Sequence, residues 1–185
     1  MMRKVCFATT NKGKLKEARA ILGLEVIGTP LDIDEIQSMD PLNVARKKAK
    51  DYYNALGKPI FVEDVSLSIK ALNGLPGTFI SFFLESLGNE GIVKLLRGVN
   101  DRSATAQTTV VFIPKKGVEE IFIGKVRGEI SEKPKGGGFG WDPIFTPLGA
   151  KKTFGQMSLK EKNKFSMRAK AYNKFKRWLD NSKIS

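Results

Sequence analysis

Ile60-Phe61-Val62-Glu63-Asp64-Val65-Ser66-Leu67 is the stretch on which the reading of this chain turns. Its apolar and aromatic residues suit a buried strand, and that strand is expected to end in two adjacent carboxylates. An unpaired carboxylate loses its hydration on burial. Glu63 and Asp64 therefore need compensation from a lysine, an arginine, a cation or open solvent.

Composition narrows the candidates. At 185 residues the chain suits a single domain with two lobes. It has no histidine, which removes Ser-His-Asp and Cys-His nucleophile pairs and histidine zinc sites. Hydrolytic chemistry must then run on carboxylates, lysines or a hard cation held by oxygen. The lone Cys6 excludes an internal disulfide and reads as a small buried hydrophobe. No apolar run is long enough for a membrane span and no charged-then-apolar leader opens the chain, so a soluble, cytoplasmic protein is expected. The net charge is +13. Residues 151–185 hold eleven Lys/Arg against Glu161 and Asp180, which places +9 of that excess in the last fifth. Such a balance favours an anionic partner: phosphate, nucleotide, nucleic acid or membrane surface.

Around the opening stretch the chain alternates strand and helix. A short strand from Arg3 to Thr9 runs into the turn Thr9-Thr10-Asn11-Lys12-Gly13-Lys14. A helix follows with Leu15, Ala18, Ile21 and Leu22 on one face. Backbone N–H groups and Lys14 then stand at a helix N-terminus, an anion-binding arrangement that is not a Walker loop. Leu24–Ile27 reads as a second strand. Asp40-Pro41 starts a helix that buries Leu42, Ala45, Ala49, Tyr52 and Leu56 and stops at Gly57. Arg46, Lys47, Lys48 and Lys50 are assigned to its wet face.

Beyond the acidic pair, Asn73-Gly74-Leu75-Pro76-Gly77 is a turn. Thr78 is expected to cap a helix whose Phe79, Ile80, Phe82, Phe83 and Leu87 serve a core, and Gly88 and Gly98 bracket a further helix from Glu90 to Arg97. Ser103–Ile113 and Glu119–Arg127 pair as a hairpin, which gives a mixed sheet. In Lys135-Gly136-Gly137-Gly138-Phe139-Gly140-Trp141-Asp142-Pro143, glycines surround two exposed-looking aromatics. Close backbone approach and base stacking both suit that composition. Ser158-Leu159-Lys160-Glu161 is a capping box, and Phe165, Ala169, Tyr172, Phe175 and Leu179 follow at helical spacing.

Taken in order, these blocks resemble the inosine triphosphate pyrophosphatases. Thr9-x-Asn11-x-x-Lys14 matches the opening signature, and Glu35-Ile36-Gln37 sits where the first acidic site residue falls. Glu63-Asp64-Val65-Ser66-Leu67 with Ala71-Leu72-Asn73-Gly74-Leu75-Pro76-Gly77 matches the acidic strand and its turn. Gly138-Phe139-Gly140-Trp141-Asp142-Pro143 matches the base-binding loop, and Glu161-Lys162-Asn163 with Ser166-Met167-Arg168 the last blocks. Two departures stand out. Val65 replaces the family's small polar residue, and Met167 replaces its usual histidine, which removes a polar contact near base or phosphates. The resemblance implies an α/β fold with an elongated mixed β-sheet and helical lobes flanking a central nucleotide-binding cleft. It also implies a homodimer and a magnesium-dependent reaction, NTP plus water giving NMP plus pyrophosphate. The implied substrates are non-standard purine nucleoside triphosphates (ITP, dITP, XTP).

On that reading Thr9, Thr10, Asn11, Lys12, Gly13 and Lys14 meet the phosphates, with Lys162 a second cation. Glu35 and Asp64 are the metal ligands. Asp64 or Glu63 takes the proton of the attacking water; strand alternation favours Asp64. Phe139 stacks on the base, Gly140, Trp141 and Asp142 shape its pocket, and Ser166, Met167 and Arg168 approach it. Arg168 is a donor suited to a 6-keto oxygen and opposed to adenine's amino group. Three successive residues cannot share one helix face, so Ser166 is predicted at a helix start. Two rivals stay open. One is a nucleotide pyrophosphatase of different base preference. The other is a basic nucleic-acid-binding protein, against which the helical spacing of Tyr172, Phe175 and Leu179 argues; no stable nucleic-acid or membrane partner is expected.

Overall fold

The computed structural model describes residues 4–182; Arg3, placed above in the first strand, and Lys183, counted in the basic tail, lie outside them. The element order is β1 (Lys4–Phe7), α1 (Lys12–Leu22), β2 (Glu25–Gly28), α2 (Pro41–Leu56), β3 (Ile60–Ile69), β4 (Pro76–Gly77) and α3 (Ile80–Lys94). Then come β5 (Ser103–Lys115), β6 (Val118–Ile130), β7 (Phe145–Pro147), α4 (Leu159–Phe165) and α5 (Met167–Asn181). The strands order as β2-β1-β3-β5-β6-β7, with β4 beside β3. β1 runs parallel to β2 and β3, whereas β3–β4 and β6–β7 are antiparallel, so the sheet is mixed as expected. The chain divides into two compact units: residues up to 64, 108–124 and from 168 onward form the first, and 65–107 with 125–167 the second.

In the first unit β3 has two differently clothed faces. Phe61 stacks on Phe7 with ring centroids 4.3 Å apart and meets Tyr172 and Phe175 of α5 edge-on. Ile60 and Val62 point the other way, into a cluster with Ala45, Ala49 and Tyr52 of α2. Fully burying one such side chain is worth about 1.5–3 kcal/mol, so β3 is fixed from both sides. α2 begins where Asp40 accepts the N–H of Leu42 at 2.9 Å and ends on Gly57 in the left-handed conformation. Its buried residues are Val44, Ala45, Ala49 and Tyr52, with Leu42 and Leu56 partly buried. Cys6 is half-buried at the edge of the same cluster. Tyr172, Phe175 and Leu179 all face the core, as helical spacing required.

The second unit closes around Trp141, Phe145 and Phe154, with Leu67, Ile69, Ile92 and Val126. Trp141 is therefore a core residue and not exposed; its ring meets Phe145 at 5.4 Å, where it buries more apolar area than a loop tip offers. Other expectations are also decided here. The acidic strand does not stop at Asp64 but continues as one ten-residue strand to Ile69, because Leu67 and Ile69 are needed in the second core. The separate helix expected after Gly88 is present: the span of α3 comprises two helices that meet at Gly88, whose angles (φ 63°, ψ −179°) are non-helical. Thr78 does not cap α3, which starts after Phe79 with no side-chain cap bond. Phe82 and Leu87 are exposed rather than core, on the outer side of α3.

Close backbone approach accounts for Gly128, Gly136 and Gly155 of the second unit. A Cβ on Gly155 would stand 2.3 Å from the Gly137 carbonyl oxygen and 2.9 Å from Pro143 Cα. The Gly137 N–H donates to the Gly155 oxygen at 3.0 Å across the same gap. Gly155→Ala is expected to destabilise the protein by about 1–3 kcal/mol through overpacking, read as a lowered urea midpoint at unchanged m-value.

Candidate active site

The predicted site residues gather into two groups, one in each unit. In the first unit the two acids of β3 separate. Glu63 shares the α5 side of the strand with Phe61 and is fully buried. Arg168, the second residue of α5, grips it from the side: Nε donates to Oε2 at 2.8 Å and Nη2 to Oε1 at 3.0 Å. Tyr172, one turn on, donates its hydroxyl to Oε2 at 2.7 Å. Lys14 Nζ lies 3.4 Å from Oε1 and 3.5 Å from the Glu63 carbonyl oxygen. Nη1 of Arg168 donates to Glu17 of α1. Burial pushes the Glu63 carboxyl up, but Arg168, Lys14 and Tyr172 together outweigh it and hold the group down at about 2. Glu63 is thus a permanent anion with filled lone pairs, unsuited to taking a proton.

Asp64 has the opposite surroundings. Its Oδ2 is buried with no hydrogen-bond partner among the described residues. Burial pushes the carboxyl up to about 7; Lys14 and Lys48 pull it down, and Glu35 and Glu63 add to the rise. Glu35, on the segment before α2, accepts from Lys48 Nζ. An orphaned carboxylate oxygen with a second acid in its electrostatic neighbourhood is a cation-accepting arrangement. Mg²⁺ takes one or two carboxylates plus waters and substrate oxygens, so Asp64 and Glu35 fit such an ion.

The turn expected to bind phosphate leads directly into α1. Asn11 caps α1, its side chain accepting the Lys14 N–H at 3.0 Å, and its own N–H donates to Thr9 Oγ1 at 3.1 Å. Thr10 and Lys12 are exposed, and Gly13 is half-buried at the first turn of the helix. A helix N-terminus with a lysine beside it is an anion site by dipole and by charge.

The second group is built on the glycine loop. Asp142 is buried; its Oδ2 accepts the Phe139 N–H at 3.1 Å and Lys162 Nζ at 2.7 Å. Lys162 of α4 also stands over the Phe154 ring, 5.6 Å from its centroid. Phe139 is 44% exposed, the state a stacking platform needs. Ser166 joins α4 to α5 with non-helical angles (φ −53°, ψ 132°), so the predicted break before Met167 is present. Met167 is buried in the second core. It stands there as a packing residue, so the histidine position of the resemblance is apolar here.

The residues matched by the Ham1 family model run from 5 to 178. The chain belongs to the Ham1 family. Ham1-family relatives include a protein of Methanopyrus kandleri named dITP/XTP pyrophosphatase, 43% identical over 183 residues and covering 97% of both chains. Another, from Emericella nidulans and named inosine triphosphate pyrophosphatase, is 43% identical, covering 96% of this chain and 97% of its own. The structure of a HAM1 protein from Coxiella burnetii superimposes with a TM-score of 0.86 at 28% identity, covering 98% of this chain and all of that one.

Within this Ham1 framework the structure corrects two assignments. Arg168 turns Nε, Nη1 and Nη2 onto Glu63 and Glu17, and so serves the acidic pair where a purine contact was expected. Lys48 is not on the wet face of α2: its side chain is 16% exposed and paired with Glu35. It lies four residues from both Val44 and Tyr52, a spacing that already places it on the inner face. Glu17 and the Tyr172 hydroxyl were not foreseen. Glu17 follows Lys14 by three on α1, beside the apolar stripe, and that was the available signal. Arg168→Met strands Glu63 and Glu17 without their arginine. It is expected to cost about 3–5 kcal/mol in urea unfolding; Glu63→Gln combined with Arg168→Met should recover part of that loss.

Proposed function

We propose that the chain hydrolyses non-standard purine nucleoside triphosphates (ITP, dITP and XTP) to the monophosphate and pyrophosphate. The observation that carries this is the unequal fate of two adjacent acids, Glu63 neutralised inside the protein and Asp64 left with an unpaired oxygen. The names of the Ham1 relatives support the substrate class.

Lys14, Lys48 and the N-terminus of α1 receive the triphosphate's negative charge. Glu35 and Asp64 would hold Mg²⁺, which when bound neutralises phosphate charge and acidifies a water. Asp64 Oδ2 stands as proton acceptor for the water whose oxygen bonds to the α-phosphorus as the α–β bridging bond breaks. Glu63 does not share that task. It anchors Lys14 through Oε1 and its carbonyl oxygen, and Arg168, Tyr172 and Glu17 hold it there. Phe139 stacks on the purine. With Arg168 engaged elsewhere, Lys162, held by Asp142, is the donor assigned to a 6-keto oxygen. A homodimer, from the resemblance, and a cytoplasmic location, from the sequence reading, belong to the same proposal. Among the described residues no helix is long and apolar enough to cross a membrane. Tyr172 and Phe175, two of the aromatics on which the nucleic-acid reading rested, are fully buried.

Pyrophosphate release from ITP, XTP, GTP and ATP, with and without Mg²⁺, tests the reading. Turnover is expected only with the ion, and ITP and XTP should lead ATP by about tenfold to a hundredfold; equal rates would sink the keto preference. Asp64→Asn is expected to lower kcat by about 10²–10⁴, and near wild-type turnover in that variant would remove Asp64 from the chemistry.

A further inference from the structure

The span of α3 breaks at Gly88, whose φ of 63° and ψ of −179° are non-helical. A Cβ there would meet nothing within 4 Å, so the conformation alone calls for glycine. The residue after the break reaches a distant loop: Asn89 Nδ2 donates to the Gly140 carbonyl oxygen at 2.9 Å. From the part of α3 before the break, Leu84 Cδ1 stands 3.7 Å from where a Gly140 Cβ would be. Asn89, just past the break, therefore holds the Gly140 carbonyl, and Leu84, before the break, lies close to the same glycine. On the other side of Phe139, the Asp142 carboxylate accepts the Phe139 N–H at 3.1 Å. The exposed ring of Phe139 thus projects from a backbone pinned at its own N–H and at the next carbonyl.

The Asn89 amide is not there for its own satisfaction. Its Oδ1 is buried and has no hydrogen-bond partner among the described residues, whereas buried side-chain polar atoms are ordinarily paired. A backbone carbonyl only accepts, so the amide must turn its NH₂ to Gly140, and the leftover oxygen follows from that orientation. An asparagine kept with one end unpaired points to the value of the other end.

We propose that Asn89 is a positioning residue that aims Phe139 at the base, acting only through the Gly140 carbonyl. This rests on the reading of Phe139 as the stacking platform. Asn89→Asp keeps the shape and removes the donor, and Asn89→Ala removes the side chain. Each is expected to raise KM for ITP about fivefold, as one lost hydrogen bond implies, with kcat within about twofold. In a Phe139→Ala background the same substitutions should change KM no further. Additive effects in the two backgrounds, or a fall in kcat at constant KM, would overturn the assignment. Amide hydrogen exchange on the ligand-free protein supplies a readout independent of turnover. Asn89→Asp should speed exchange in residues 138–141 and leave α5 unchanged; equal exchange in variant and wild type counts against the anchor. Should the wild type fail to hydrolyse ITP, the proposed function falls, and the exchange measurement alone decides whether Asn89 anchors the loop.

Discussion

A carboxylate buried at full depth in a β-strand is the constraint around which the first unit is arranged. Glu63 stays ionised only because Arg168 meets both its oxygens, Tyr172 adds a third donor and Lys14 a second cation. Removing any single charge from such a cluster leaves another uncompensated. This one interaction ties β3 to α5 and to the start of α1, and it brings Lys14 to its station. The lysine expected to meet phosphate is held in place by a buried acid.

Alternation along β3 does the rest. Glu63 and Asp64 are neighbours in sequence and opposites in environment, because successive strand residues face opposite ways. One side is closed by aromatic packing and an ion cluster. The other carries Ile60 and Val62 against α2, and then Asp64, whose Oδ2 finds nothing among the described residues to bond. The pair that looked like a single acidic feature is one carboxylate fully paired and one with an unpaired oxygen, set apart by a rotation of the backbone.

The second unit shows a different economy. Its glycine loop is held by directed polar contacts, Asp142 to the Phe139 N–H, Lys162 to Asp142 and Asn89 to the Gly140 oxygen, beside the close backbone packing of Gly137 on Gly155. Trp141 packs inward and gives the loop a root, while Phe139 stays outside. Two aromatics separated by one residue thus receive opposite fates, which composition did not distinguish.

Much of this was legible in the sequence. Asp40-Pro41 and Gly57 bound a helix, and Ser158 and Glu161 a capping box, because caps are local hydrogen bonds between residues close in sequence. The break at Ser166 was expected because the resemblance sets Ser166, Met167 and Arg168 toward one ligand, which a continuous helix does not allow. Arg168 meeting Glu63 across 105 positions, Glu17 meeting Arg168 across 151, and Asn89 reaching Gly140 across 51 are pairings of another kind. Each depends on where separate elements come to rest, and a charged residue beside an apolar stripe reads as solvent-facing until its partner is placed. The sequence by itself determined which residues could carry the chemistry and where the local elements begin and end. Only the tertiary structure decided that Glu63 is neutralised and Asp64 is not, because the burial and the partners that set a carboxylate's state come from distant parts of the chain.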